Sequence, residues 1–123
     1  MSPHGFGVND GSQSGFPEMV KYTNQIIKWL PPVDIYETDA EVVAVVEIPG
    51  VKPEDIKVSF KDGTLTIEGV KNKLSEMKGL SYFCVERSYG AFVRKFRIVS
   101  PIQKDRIQAG FDQGVLTVIL PKK

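Results

Sequence analysis

The side chains that could perform catalysis are few and widely separated in this chain of 123 residues. It has one histidine, His4, and one cysteine, Cys84, so neither a structural metal site nor a Cys–His nucleophile pair is predicted. The acidic pair at 54–55, like Glu37 and Asp39, falls at strand ends and turns, where solvated surface positions are typical. The glycines are scattered at turns and form no phosphate-binding loop. The sequence therefore predicts that the protein is not an enzyme and uses no cofactor or metal.

Arg94 is the charged residue whose position demands an explanation. In the predicted strand 90–99, Phe92, Phe96 and Ile98 share one parity, and successive side chains of a strand point to opposite faces. Arg94 has that same parity, and a charge among apolar side chains is costly unless a carboxylate or carbonyl oxygens satisfy it. Two interpretations remain: an edge strand from which Arg94 reaches solvent, or an arginine held at a subunit or loop interface.

Composition and charge place the chain among ordinary globular proteins. Hydrophobic residues make up 41% and charged residues 25%, and the net charge is +1. Nothing in that balance favours nucleic acid or an anionic membrane as a partner. No apolar run approaches the length of about 18 residues that a membrane span needs, and the start lacks the apolar segment of a secretory signal. Because Cys84 has no partner for an intrachain disulfide, a reducing, cytoplasmic compartment is predicted.

From Val33 onward, apolar and polar residues alternate with the period of two that is typical of β-strands. Proline and glycine bound the runs, and Asp62–Gly63 predicts a tight hairpin turn between two of them. This spacing of seven or eight short strands predicts an all-β fold, an immunoglobulin-like antiparallel β-sandwich over residues 31–123. The predicted strands are 33–36, 41–48, 55–60, 64–70, 90–99, 107–111 and 114–120.

Residues 1–30 are predicted to form a separate N-terminal arm. Residues 1–15 are rich in glycine, serine, asparagine and aspartate, which predicts a flexible segment. Residues 16–30 have the apolar spacing of a short amphipathic helix, which Pro31 and Pro32 would end. The apolar face would pack on its own domain or serve self-association or contact with client proteins. The apolar residues of this stretch include Phe16, Met19, Tyr22, Ile26, Ile27, Trp29 and Leu30.

The regular strand spacing is interrupted by a long insertion at 71–85. Its first half is polar and charged, and its second half, 80–85, is a short apolar run. Long insertions in small domains are often functional. Cys84 lies in the apolar run, where a small buried hydrophobic residue is a more typical role than a redox centre.

Two predicted strands, 55–60 and 107–111, carry apolar stripes. Such stripes form the core of a sandwich, but strand edges with apolar neighbours also accept an added strand or an extended peptide. Both interpretations are kept for Ile56, Val58, Phe60, Ile107, Ala109 and Phe111.

Residues 29–122 resemble the α-crystallin domain of the small heat-shock protein family, of the bacterial type. Four segments carry the resemblance, in the order and spacing of the family. They are 32–37 (PVDIYE), 48–58 (IPGVKPEDIKV), 86–96 (ERSYGAFVRKF), and 114–118 (GVLTV) with Ala109 ahead of it.

The resemblance implies an ATP-independent holdase chaperone that binds partly unfolded client proteins and prevents their aggregation. It also implies a homodimer, at least, in which a short strand of the long loop pairs with the partner subunit. The arm and the groove between strands 55–60 and 107–111 would take up apolar client segments. The expected dimer contacts are Leu80, Tyr82, Phe83, Arg87 and Arg94, with Glu76 and Glu86 as candidate carboxylate partners of Arg94. The expected client-binding residues of the arm are Phe16, Ile26, Ile27 and Trp29.

The sequence departs from the family pattern at two places. Gln113 stands where the family prefers asparagine or aspartate before Gly114, which affects one turn. Family members usually continue past the last strand with an I-x-I motif that docks in the groove of a neighbouring subunit, whereas this sequence stops at Lys123. The groove is therefore expected to be empty or filled by another segment, such as the apolar N-terminal stretch.

The alternative function is a co-chaperone or adaptor module similar to p23, which binds a folded partner. Domains of that group usually lack both the long loop strand and the segment that resembles 86–96. One stoichiometric folded partner in a pull-down would favour this alternative.

Overall fold

The structure is a computed structural model that describes residues 4–8, 29–73 and 78–123. In these ranges the chain forms eight strands and two single 3₁₀ turns, at Pro53–Asp55 and Lys104–Arg106, and no α-helix. Most of the predicted helix at 16–30, and Glu76, lie outside the described residues. The strands are β1 His4–Phe6, β2 Val33–Glu37, β3 Glu41–Glu47, β4 Ile56–Lys61, β5 Thr64–Lys71, β6 Gly90–Arg97, β7 Gln108–Asp112 and β8 Val115–Pro121.

The described strands build two antiparallel sheets, which confirms the predicted β-sandwich. The larger sheet has five strands in the order β1-β7-β8-β3-β2, and the smaller has three in the order β4-β5-β6. The Ser100 hydroxyl, just beyond β6, donates a hydrogen bond of 3.3 Å to the Glu37 carboxylate at the end of β2. The β6 edge therefore lies toward β2, and the order of the sheets places β4 toward β7.

Two hairpins are closed by turns of the same kind. Asp62 and Gly63 have φ values of 51° and 77°, and they join β4 to β5 with Lys61 opposite Thr64. Gln113 and Gly114 have φ values of 51° and 78°, and they join β7 to β8. Positive φ at both central residues is the signature of a type I′ turn, whose twist matches that of the flanking strands. The hairpin predicted at Asp62–Gly63 is thus confirmed.

The core lies between the sheets, where the inward positions of each strand meet. Phe92 of β6 is fully buried, as are Leu65 and Ile67 of β5. Gly69 allows this packing, because a Cβ there would lie 2.6 Å from both the Asp55 carbonyl oxygen and the Phe92 ring. From the larger sheet, the fully buried residues are Ala44, Val46, Leu116, Val118 and Leu120.

The structure differs from the sequence predictions at β1. Composition predicts a flexible start, but His4, Gly5 and Phe6 pair with Phe111, Gly110 and Ala109 of β7. The backbone hydrogen bonds of a sheet edge order this segment, and they need no particular side chain.

Cys84 is the second place where the structure differs from the sequence predictions, because its thiol is exposed and not buried. The apolar run around it lies in residues 78–89, which form no strand and pack on neither sheet as a strand would. An apolar run alone therefore did not indicate burial here.

Candidate protein-interaction site

The loop at 78–89 exposes a cluster of large apolar side chains. The exposed fractions are 50% for Leu80, 60% for Tyr82, 105% for Phe83 and 68% for Val85. Isolated apolar residues on a surface are ordinary, whereas larger exposed apolar surfaces are typical of interaction sites. The expected dimer contacts Leu80, Tyr82 and Phe83 are therefore exposed and lie outside the hydrophobic core of their own chain.

Cation–π contacts hold the base of this loop. The Lys73 ammonium lies 5.3 Å from the Tyr82 ring centre, and the Arg87 guanidinium lies 5.2 Å from that of Tyr89. The Lys71 ammonium lies 5.9 Å from the Tyr89 ring centre and so connects β5 to the loop. Arg87 is exposed and engages an aromatic ring of its own chain, a contact that sequence spacing did not predict.

Arg94 faces inward, as its parity predicts, and is half-buried. Its guanidinium donates a hydrogen bond of 2.8 Å to the Pro31 carbonyl and lies 5.1 Å from the Phe96 ring centre. Glu86 makes no ion pair with it within the described residues. Within the described residues, the hydrogen-bond partner of this guanidinium is thus a backbone carbonyl.

Trp29 docks on the same strand. Its indole N–H donates to the Gly90 carbonyl at 3.1 Å, and its ring meets the Phe92 ring edge-on with centroids 5.3 Å apart. The Lys71 ammonium lies 5.3 Å from the Trp29 ring centre. Together with the Arg94 bond to Pro31, these contacts fix the segment at 29–31 beside β6. The last residues of the arm are therefore anchored next to the exposed loop, and Trp29 is half-buried.

The edge strand β2 is the second surface. Within the described residues it pairs only with β3, and Ile35 and Tyr36 on it are exposed. A cavity of about 240 Å³ beside it is lined by Ile35, Val42, Ile98 and Val99 among others. An edge strand with exposed apolar side chains is a template for pairing with another chain.

The end of β2 is held by an ion pair of 2.7 Å between the Glu37 carboxylate and Lys122. The hydrogen bond and charge of Lys122, followed by the hydrogen bond from Ser100, hold the pKa of Glu37 below its usual range. The ion pair therefore ties the end of β2 to the residue that follows β8, the strand two places away in the larger sheet.

The six residues of the predicted groove lie in or beside the core. Ile56, Val58, Phe60, Ala109 and Phe111 are buried, and Ile107 is half-buried against them. These side chains form the floor between the sheets, so a ligand of this region would meet mainly the strand edges. At the β7 edge, β1 already occupies that position.

No group of three or more histidine, cysteine or carboxylate side chains in ranges 4–8, 29–73 and 78–123 could hold a metal ion. No helix in the same ranges is long and apolar enough to cross a membrane.

Comparison with known proteins gives one consistent match. Residues 34–123 match the model of the Hsp20/alpha crystallin family. Heat shock protein 16 of Schizosaccharomyces pombe is 40% identical, over 95% of this chain and 87% of that protein. Small heat shock protein C2 of Rickettsia felis is 39% identical over 76% of this chain, which spans 61% of that protein's length.

Solved structures agree with this match. Heat shock protein 16.0 of Schizosaccharomyces pombe superposes with a TM-score of 0.71 at 38% identity, covering 77% of this chain and 88% of that one. The hspA protein of Xanthomonas axonopodis gives a TM-score of 0.70 at 33% identity, covering 78% of this chain and 96% of that one.

Proposed function

Because this chain belongs to the Hsp20/alpha crystallin family, a family of small heat-shock chaperones, we propose that it acts as a holdase. It binds partly unfolded proteins and prevents their aggregation without ATP, an enzymatic step or a cofactor. The observation that carries the proposal is the exposed apolar surface of the loop at 78–89 and of β2. Surfaces of this kind are costly in water unless an oligomer or a client covers them.

The same surface supports a homodimer. The loop has unpaired backbone and exposed aromatic side chains, and β2 has an unpaired edge within the described residues. One chain's loop would lie along β2 of the partner, extend the five-stranded sheet and bury Tyr82 and Phe83. The bond between Arg94 and Pro31 supports this arrangement by fixing the chain segment between loop and β2. Leu80, Arg87 and Arg94 would line the border of the interface.

Client binding is assigned to the arm. Phe16, Ile26 and Ile27 lie outside the described residues, and their assignment rests on the amphipathic pattern of the sequence. Trp29 is docked on Phe92 and Gly90, so it would anchor the arm and present its free edge to clients.

An exposed, unpaired Cys84 persists as a thiol in a reducing compartment, which supports a cytoplasmic location.

The experiment is aggregation of a heat-labile model protein, followed by light scattering with the full chain present and no nucleotide. The wild type is expected to suppress scattering at near-stoichiometric ratio. Replacing Phe16, Ile26 and Ile27 together with serine is expected to abolish suppression, because the apolar stripe of the arm is lost. Trp29 is left in place since its substitution would also disturb the sandwich.

Lys104→Ser is the control, because it shortens an exposed side chain that lies outside the arm, the loop at 78–89 and β2. Its suppression should equal that of the wild type. Full suppression by the triple-serine variant would remove client binding from the arm. Failure of the wild type to suppress scattering would refute the holdase function and favour the adaptor alternative.

A further inference from the structure

The outward face of the smaller sheet is basic. Alternate residues of β4, β5 and β6 fill the core, so the residues between them point away from it. Lys57 forms an ion pair of 3.9 Å with Glu68, which is the single carboxylate at the outward positions of these strands. The other cations of this face are exposed and have no carboxylate partner within the described residues. They are Lys61, Lys95 and Arg97.

The outward face of the larger sheet is acidic. On β2, β3, β8 and β7, the outward positions include four carboxylates and no lysine, arginine or histidine. Glu47 and Asp112 flank Val115 in one row of the register, and both carboxylates are exposed. Although the net charge of the chain is only +1, the two outward faces thus carry charges of opposite sign. The four carboxylates are Asp34, Glu41, Glu47 and Asp112.

The middle of each face consists of small, mostly β-branched side chains. On the smaller sheet, Thr64 and Thr66 lie on the central strand β5, between the cations of β4 and β6. On the larger sheet, Val45, Thr117 and Ile119 are half-buried on the adjoining strands β3 and β8. Two such sheets can pack face to face at about 10 Å. Their charged side chains would then meet at the rim, where water still reaches them.

We propose that the basic face of one molecule docks on the acidic face of a second copy. The two patches differ, so the contact is heterologous and repeats from molecule to molecule without a twofold axis. The proposed homodimer uses the β2 edge and the loop at 78–89, which leaves both outward faces free. The face-to-face contact therefore joins dimers to one another, and it does not depend on the proposed holdase function.

The size of the faces sets the strength of this contact. Three strands about 4.8 Å apart, with eight residues in β5, give a basic face of about 10 Å by 25 Å. That is well below the area of about 800 Å² per partner that a stable complex buries. A single contact is therefore weak, and its opposite charges supply orientation and a faster encounter more than affinity.

Salt separates this contact from the proposed homodimer. The screening length is about 30 Å at 0.01 M salt and about 3 Å at 1 M, so exposed charges attract one another across the faces only at low salt. The homodimer would bury apolar side chains of the loop and β2, and apolar burial does not weaken in this way. Assembly beyond the dimer is thus expected at low salt and is lost at high salt.

A charge swap in the full-length chain tests the proposal. Lys61→Glu/Lys95→Glu makes the smaller sheet acidic, and Glu47→Lys/Asp112→Lys makes the larger sheet basic. The four side chains are exposed and form no ion pair within the described ranges, so the swaps break no salt bridge there. Each variant carries two faces of like charge, and a mixture of the two variants again offers faces of opposite charge.

The measurement is mass by light scattering at low and high salt over a range of protein concentration. The wild type is expected to exceed the mass of a dimer at low salt and to return to it at high salt. Each face variant alone should need at least about tenfold more protein to reach the same mass. An equimolar mixture of the two variants should associate as the wild type does.

Lys104→Glu/Arg106→Glu is the matched control for the variant of the smaller sheet. It changes the net charge by the same amount, at an exposed turn outside both faces. The control should therefore associate as the wild type does. Loss of association in the control would show that net charge alone governs the effect, and it would overturn the proposal.

The proposal is also overturned if the wild type shows no salt-dependent association, or if the mixed variants fail to associate. Vesicles with phosphatidylglycerol and a single-stranded RNA are the competing partners for a basic face. Binding of either by the wild type but not by Lys61→Glu/Lys95→Glu, with self-association of that variant unchanged, would reassign the face and refute the contact between copies. A monomer at high salt with assembly intact at low salt would refute the homodimer and support the face-to-face contact.

Discussion

Arg94 joins two segments that lie far apart in sequence, and its substitution tests that link. Arg94→Ala removes the 2.8 Å bond to the Pro31 carbonyl and the contact with Phe96. Hydrogen bonds from charged groups are worth about 1.5–3 kcal/mol, so we expect a loss of about 2 kcal/mol in the free energy of unfolding. Denaturant unfolding measures the loss. Trp29, the single tryptophan, should shift its emission to the red because segment 29–31 is released.

Arg97→Ala is the matched control on the same strand. Arg97 donates to the Asp62 carbonyl at 3.0 Å, but it is exposed, so the expected loss is about 0.5 kcal/mol with no shift of Trp29 emission. Equal losses for the two variants would show that Arg94 does not hold the segment. Arg94→Lys should lie between them, because an ammonium keeps the charge but not the planar contact with Phe96.

At the scale of elements, the two type I′ turns offer a reciprocal experiment. Gln113 and Asp62 occupy the same position with φ of 51°, where asparagine and aspartate are tolerated better than glutamine. Gln113→Asn should stabilise the protein by about 0.5–1 kcal/mol, whereas Asp62→Gln should destabilise it by a similar amount. Thermal unfolding checks both. A stability change of the same sign in both variants would contradict the turn argument.

The strands were predictable because their signal is local. Alternation located β2 to β8 within a residue or two, and the inward parity of Phe92, Arg94 and Phe96 followed from it. Strand order and edge pairing are set by contacts distant in sequence. The pairing of β1 with β7 uses backbone groups. A strand of three residues with a glycine in the middle gives no periodic signal in the sequence.

The candidate site was predictable to the same extent. The family resemblance implied contacts at Tyr82 and Phe83, which are exposed, whereas the apolar run suggested a buried Cys84, because a run does not show which surface it faces. The carbonyl partner of Arg94 and the docking of Trp29 depend on where the chain crosses β6. Neither contact could be predicted from the spacing of residues in the sequence.

At the scale of the whole molecule, the two edges of the larger sheet differ in whether another strand covers them. The β7 edge is covered by β1 of the same chain, whereas the β2 edge has no partner within the described residues. Its exposed Ile35 and Tyr36 and the apolar loop are the surfaces assigned to the proposed homodimer. The proposed association through β2 would leave the opposite edge of this sheet, formed by β1 on β7, outside the dimer interface.

Cys84 provides a direct measure of that association, because it is exposed in the single chain and lies beside Phe83. If the loop lies on the partner's β2, reaction with a thiol reagent should slow as protein concentration rises. Mass from light scattering after size exclusion should rise to that of a dimer over the same range.

Tyr82→Ser/Phe83→Ser should raise the dimer Kd at least about tenfold, because two apolar side chains leave the interface. Lys104→Ser, which shortens an exposed side chain outside the loop, the arm and β2, should change neither measurement. A monomer at every concentration, with a constant rate of thiol reaction, would refute the exchanged loop and favour the adaptor class.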